Sequence, residues 1–553
     1  MIAARRAVLA AAALMLVVTG ACYLDRPLRG DETDFGMMAR EAIPRYGTPV
    51  LPPDAQRVIL LDAETDQPIT RYGMWHPPLY LYALAAVSAL LPDGSWPLRA
   101  VGVACLLAAL VLAWRIAGSA APDLSREGRA LAVAVPLLSP LVVESALLVD
   151  IDGTVLLAAV LLFIERWLAW KSHLTPARVA ALAACFTLAL AAKMTTPFVV
   201  IAAMLLHSVW SRGGLRQAIA LVAIGAGGVA GLVVCYLVYC AVTGFPPGFM
   251  LDLYGLRAGR FLSKPIAGYA LAVRWNLAWI SPAISVLLAL YTLERLRRLR
   301  RGERPEDADL LWIFTALSVA AYVGVAAYWG KYLAPAVMAG ALGAGIWVAR
   351  AWPALRLVRP AGFAGAIVLA GAAAAVLTSP RIRGDAAART LDAGLHDPRN
   401  VAIAALVLMA LAIALAARRL MAGPARAVTA GAAVLCAAAL FSVIDQARVV
   451  TASAESGPLA AGRATGMRDV LTRLKALPAD SRILAPKDIG YYYPGRSYPL
   501  DMPYRPDQLH ALMHRDDVRV IVDSADYPII PAGTTFPPGD AVRIGEFRVF
   551  VKR

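Results

Sequence analysis

Charge is scarce in this sequence. Acidic and basic residues make up 17% of its 553 positions, against 59% hydrophobic, a balance that excludes a water-soluble domain as the bulk of the chain. Cysteine is equally sparse, with 6 residues at positions 22, 105, 185, 235, 240 and 436. Nearly all fall inside apolar runs, where cysteine behaves as a small hydrophobe. The polar carboxy-terminal stretch has none, and no disulfide or zinc spacing is visible. Short-period internal repeats are lacking too. The net charge of +16 invites a nucleic-acid partner, but much of the excess sits in short loops between apolar runs, as at Arg295, Arg297, Arg298, Arg300, Arg301 and Arg304. That is the positive-inside signal of a membrane protein. Membrane lipids, not nucleic acid, are the expected surroundings.

What is present is a series of apolar runs long enough to cross a bilayer, about thirteen in all. They start at 7–23 and end with 361–378, 400–417 and 427–444, and 130–149 is one of those between. Met1 to Arg6 followed by the run to Ala21 has the look of a cleaved signal peptide, but more membrane protein follows, so it reads as an uncleaved first helix with Arg5 and Arg6 inside. Pro77–Leu91 is apolar as well, yet counting it as a span puts every later Arg-rich loop on the wrong side, so it reads as an interfacial or re-entrant helix. The odd number of spans then places the polar segment 446–553 outside. There, 463–477 has helical spacing, and Arg482–Ala485, Val518–Asp523 and Phe547–Val551 read as strands, which together make a small external α/β domain. Cysteine tags near Asp54, Asp252 and Asp480 are expected to label from outside, and a tag near Arg301 is not; labelling near Arg301 would overturn this topology.

With these sides assigned, the unusual polar residues gather on the outer face. Asp31, Glu32 and Asp34 stand just beyond the first span, where a carboxylate suits the role of general base toward an acceptor hydroxyl or amine. Asp150 and Asp152 flank a break between two runs. Asp152 also suits the role of cap to the next helix, and two acids so spaced can hold a divalent cation, though such sites need more oxygen ligands. Lys193 and Lys331 interrupt apolar sequence on the side where the positive-inside rule offers no reason for them. Snorkelling explains a lone lysine, whereas two at one mouth suit an anionic phosphate leaving group. Arg257 and Arg260 would add forked contacts, and His76 precedes Pro77-Pro78 either as an interfacial polar residue or as a substrate contact.

Taken in order, Asp31-Glu32, Gly47-Thr48-Pro49, His76-Pro77-Pro78-Leu79-Tyr80, Arg99-Ala100-Val101-Gly102, Asp152, Lys193 and Lys331-Tyr332-Leu333-Ala334-Pro335 make a chain that resembles the membrane-embedded GT-C glycosyltransferases, in particular the protein O-mannosyltransferase and aminoarabinose lipid A transferase group. The resemblance covers most of residues 1–350. It implies a polytopic α-helical membrane fold of GT-C type, with a catalytic domain over 1–445 (its first external loop at 24–97) and an external domain over 446–553. It also implies sugar transfer from a polyprenyl-phosphate donor to a lipid, glycan or protein acceptor on the external (periplasmic) face of an inner membrane, inverting at the anomeric carbon. Asp31 maps onto the activating acid, with Glu32, Asp150 and Asp152 as its acidic companions, and His76, Lys193, Arg257, Arg260, Lys331 and Tyr332 bind substrate. Asp150 and Asp152 compete for a position the family fills with a single acid. A divalent cation is the one cofactor left open. The rival readings, a lipid-linked sugar flippase or an assembly subunit, explain less: a flippase needs pathway charges spread through the membrane, and an assembly subunit has no use for Asp31.

Overall fold

The computed structural model describes residues 2–250, 279–324, 330–352 and 466–553, apart from scattered loop positions, together with 434–436 and 439. Arg257, Arg260 and the expected spans at 361–378, 400–417 and most of 427–444 lie outside the described residues. The chain forms two compact units. One joins Met1–Gly20 to Gly102–Ala447, and the other joins Ala21–Val101 to Arg448–Arg553.

The first unit is helical. Among the described residues of the chain, three helices are long and apolar enough to cross a membrane, Trp96–Ala120, Gly214–Thr243 and Gly330–Ala351. The run 130–149 is not one straight helix: Arg126–Leu137 and Pro140–Leu147 meet at 70°, because a proline has no N–H to give and its ring blocks the preceding turn. Several other runs form helices shorter than a full span, such as Pro176–Ala192 and Thr195–Trp210. Gly214–Thr243 leaves Leu215, Val222, Val234, Val238 and Val242 largely exposed, a surface that suits lipid and is rare on a soluble monomer. Its other face uses small residues for close approach. Gly228 lies over the Phe186 ring, and Thr187 donates a 3.1 Å hydrogen bond to the Gly228 carbonyl, the kind of packing membrane helices rely on. Ala334–Ala351, rich in alanine and glycine, is buried from Ala334 through Ala349. At the Arg-rich end, Arg295 pairs with Asp309 at 2.8 Å, which links two helices, and Arg298 pairs with Glu303 and Glu306 of the connecting loop at 2.6 Å each.

The second unit contains a five-stranded mixed sheet, in spatial order Arg496–Pro499, Arg482–Ala485, Val518–Ser524, Phe547–Lys552 and Gly539–Ile544. The three stretches read as strands from the sequence are strands. The first three in this order run parallel, joined by crossover helices Lys487–Tyr492 and Pro506–His514, and the last two add antiparallel. Both faces are covered. Ile483, Ala485, Val520 and Val522 pack with the helix Met467–Leu474 on one side, and Leu484 and Ile521 pack with Leu509 and Leu512 on the other, as the period-two alternation of a strand requires. The first loop belongs to this unit. Val58 bridges Ser497 in parallel register, with Ile59 N to Ser497 O and Ser497 N to Arg57 O both at 2.8 Å, so residues 57–59 extend the sheet edge and Ile59 enters its core. Leu79–Leu90, the segment read as interfacial, is a helix of 12 residues, about 18 Å long and short of the roughly 30 Å hydrocarbon layer.

Candidate active site

Within the first unit, Leu148–Thr154 links the helices Pro140–Leu147 and Val155–Trp170. The cap position of the second helix is Thr154, with no side-chain capping bond. Asp152 therefore does not cap it. Its carboxylate, 1% exposed, instead takes a 2.6 Å bond from the Lys193 ammonium. Lys193 sits in the break between Pro176–Ala192 and Thr195–Trp210 and is itself 4% exposed. Two residues earlier in the loop, Asp150 pairs with Lys331, which stands in the turn Gly330–Leu333. The second oxygen of Asp150 accepts the Ile151 N–H at 2.6 Å. Both lysines address one ring: Nζ of Lys193 lies 3.7 Å from the Tyr332 centroid and Nζ of Lys331 lies 5.9 Å from it, within cation–π range. The Tyr332 ring in turn packs 5.7 Å from Tyr322, whose hydroxyl meets Thr196 at 2.7 Å.

The arrangement is two carboxylates and two ammoniums in a site largely withdrawn from solvent. Each charge is balanced by a partner, and taking one partner away leaves an uncompensated buried charge, which costs about 3–5 kcal/mol. Among the described residues no group of three or more histidine, cysteine, aspartate or glutamate side chains is placed to hold a metal ion. The acid pair that invites a divalent cation in the sequence has two lysines for counter-ions. Close packing holds the loop in place. A Cβ on Gly153 would collide with the Ser145 carbonyl, and one on Gly102 with the Ala146 carbonyl oxygen. Gly153→Ala is accordingly expected to destabilise the protein by about 1–3 kcal/mol, and thermal unfolding in detergent measures it; an unchanged midpoint would show that the loop is not packed this way.

The second unit carries the acids of the first loop. Asp31 opens the helix Asp31–Met37 and is exposed, while Glu32 and Thr33 behind it are buried. Glu32 meets Arg99 at 3.0 and 3.2 Å through its two oxygens. Arg99 is 1% exposed and also donates to the carbonyls of Leu24 at 3.3 Å, Pro27 at 3.4 Å and Arg26. Asp34 pairs with Lys487 at 2.6 Å. His76 is half-buried, just ahead of Pro77 and Pro78. Within each unit, then, the structure gathers what the sequence names separately: Asp150, Asp152, Lys193, Lys331 and Tyr332 in the first, Asp31, Glu32 and Asp34 in the second. The sequence reading gives no role to Arg99, Lys487 or Asp488, nor to Glu144, which is fully buried and accepts the Trp279 indole N–H at 2.9 Å. Glu144 had a signal, since an acid inside an apolar run is a functional candidate by default.

Comparison with known proteins agrees with this architecture. The family described as dolichyl-phosphate-mannose-protein mannosyltransferase matches residues 75–239, the stretch that holds His76, Asp150, Asp152 and Lys193. In fold, the chain is similar to ArnT from Cupriavidus metallidurans. The structure of that protein bound to undecaprenyl phosphate superimposes with a TM-score of 0.53, and the apo state with 0.55; in each case the identity is 18%, over 97% of this chain and 96% of that one. No curated protein matches the chain. The resemblance to membrane-embedded glycosyltransferases read from the sequence is borne out, in fold over nearly the whole length and in sequence over residues 75–239.

Proposed function

We propose that this chain is a polytopic inner-membrane glycosyltransferase of GT-C type that moves a sugar from a polyprenyl-phosphate donor to an acceptor on the external face, with inversion. The observation that carries the reading is the pair of lysines, Lys193 buried and Lys331 partly buried, held over one tyrosine ring by Asp152 and Asp150. A polyprenyl phosphate is a poor leaving group until its developing charge is stabilised, and preorganised cations in a water-poor site do this without reorganising. An ammonium has three donors, so a lysine oriented by one carboxylate retains capacity for phosphate oxygens. In this reading Asp150 and Asp152 orient the lysines. The fold shared with a protein whose structure holds undecaprenyl phosphate supports the same donor class. Asp31 is the general base, Glu32 holds the turn behind it, His76 and Tyr332 line the substrate, and Arg257 and Arg260 contribute further phosphate contacts. The chain crosses the membrane about thirteen times, with its carboxy-terminal sheet outside.

The deciding experiment is transfer from labelled polyprenyl-phosphate sugars to membrane acceptors by the purified protein. Absence of transfer with every such donor would sink the reading. Within it, Lys331→Gln keeps a hydrogen-bonding side chain and removes the charge. A hydrogen bond to a charged group contributes about 1.5–3 kcal/mol, so donor KM is expected to rise roughly ten- to a hundred-fold while the protein still inserts. Unchanged donor dependence in both Lys331→Gln and Lys193→Gln would remove the lysines from the site.

A further inference from the structure

Asp31 opens a helix of 7 residues. It runs on through the π-helical turn Met38–Ala42 into Ile43–Tyr46, so the direction in which its first side chain points is set by whatever grips the turn before it and its own first turn. The grip comes from the far end of the chain. Just before Asp31, the Gly30 N–H donates to the Asp488 carboxylate at 2.7 Å, with Gly30 at a positive φ of 53°. One turn beyond Asp31, the Asp34 carboxylate is paired with Lys487 at 2.6 Å, their side chains 13% and 15% exposed. Two residues ahead of Gly30, the Leu28 N–H donates to the Tyr492 hydroxyl. Behind the helix, a Cβ on Gly36 would stand 2.9 Å from the Tyr491 hydroxyl. Burial pushes the Tyr491 and Tyr492 phenols up from their usual pKa. Lys487, Asp488, Tyr491 and Tyr492 all belong to one crossover helix, Lys487–Tyr492, whose Tyr491 carbonyl accepts a 3.3 Å bond from Arg57, in the stretch that extends the sheet edge.

We propose that the crossover helix Lys487–Tyr492 is a positioning element for sugar transfer, with Asp488 and Lys487 fixing the turn and helix that aim Asp31. This rests on the reading of Asp31 as general base. It gives the carboxy-terminal sheet a role in turnover, since the anchors lie 453 and 458 residues along the chain from the loop they hold. A base has to meet its proton within hydrogen-bond reach, and displacement of such a group by about 1 Å can cost on the order of a hundred-fold in rate. The Gly30–Asp488 bond acts on the backbone immediately before the base, so its loss acts on aim and not on donor binding.

The test uses the full-length protein with a polyprenyl-phosphate sugar donor, reading kcat and donor KM separately together with hydrogen exchange across residues 28–37. Asp488→Ala is expected to lower kcat roughly ten- to a hundred-fold, leave donor KM unchanged and speed exchange in 28–37. Asp488→Asn retains an oxygen for the Gly30 N–H and is expected to stay near the parental rate. The swap Asp34→Lys with Lys487→Asp is expected to recover activity that Lys487→Met loses, which a misfolded protein does not do. Parental kcat in both Asp488→Ala and Lys487→Met would overturn the proposal, as would a loss in Asp488→Ala that Asp488→Asn shares in full. Asp31→Asn in the same assay separates the two ideas. If it is inactive while Asp488→Ala is not, positioning is overturned and the base stands. If Asp31→Asn works at the parental rate, the base assignment falls and positioning for base catalysis falls with it, even where exchange in 28–37 rises.

Discussion

Asp31→Asn is expected to lower kcat by roughly a hundred- to ten-thousand-fold and to leave donor binding in place. An alcohol attacks poorly while it keeps its proton, and a carboxylate that removes the proton as the bond forms contributes a factor of that size; the amide has the same shape and is no base. Of the three acids just beyond the first span, Asp31 is the one exposed to solvent; Glu32 is buried against Arg99 and Asp34 is paired with Lys487. A base needs access to its substrate, so exposure favours Asp31. Asp34→Asn is expected to cost far less, because the amide still accepts a bond from Lys487. Rates for the two variants with one labelled donor make the check. If Asp31→Asn transfers at near the parental rate and Asp152→Asn is inactive, the base has been assigned to the wrong loop.

The site was legible in the sequence to the extent that charge stands out against apolar surroundings. Lys193, Lys331, Asp150 and Asp152 are conspicuous for that reason. Their pairing is not, since partners 41 and 181 residues apart leave no local signature. Glu144 obeys the same rule, yet nothing near it in sequence points to Trp279, 135 residues on. In the polar segment the contrast vanishes, and Lys487 and Asp488 look like any solvated pair. The strands divide in the same way. Val518–Ser524, covered on both faces, reads as a β-branched apolar run, whereas Arg496–Pro499 and Gly539–Ile544, at the two edges of the carboxy-terminal sheet, carry charge, glycine or proline and read as loop. The first loop was the larger surprise. Its clustering with residues 448–553 comes from edge pairing at 57–59 and from the hold of Lys487, Asp488 and Tyr492 on residues 28–34, contacts that a polar loop does not advertise.

Arg99→Met is expected to destabilise the second unit by about 3–5 kcal/mol, because it leaves the Glu32 carboxylate buried without its partner. The effect reaches beyond one ion pair. Arg99 gathers the carbonyls of Leu24, Arg26 and Pro27 along with Glu32, so the turn leading to Asp31 is wrapped around one guanidinium whose planar fork a lysine does not reproduce. Arg99→Lys is thus expected to recover only part of the loss. Glu32→Gln retains an acceptor and is milder, and the double change Glu32→Leu with Arg99→Met removes both charges together, so it is expected to be less damaging than Arg99→Met alone. Thermal unfolding of the purified set, read as a double-mutant cycle, measures the coupling between the two. A coupling near zero would mean that Glu32 is not held by Arg99, and would return it to the acids that act on substrate directly. A coupling of several kcal/mol, with activity falling in step with folded fraction, would make Glu32 a support for the loop and leave Asp31 as the acid that meets the acceptor.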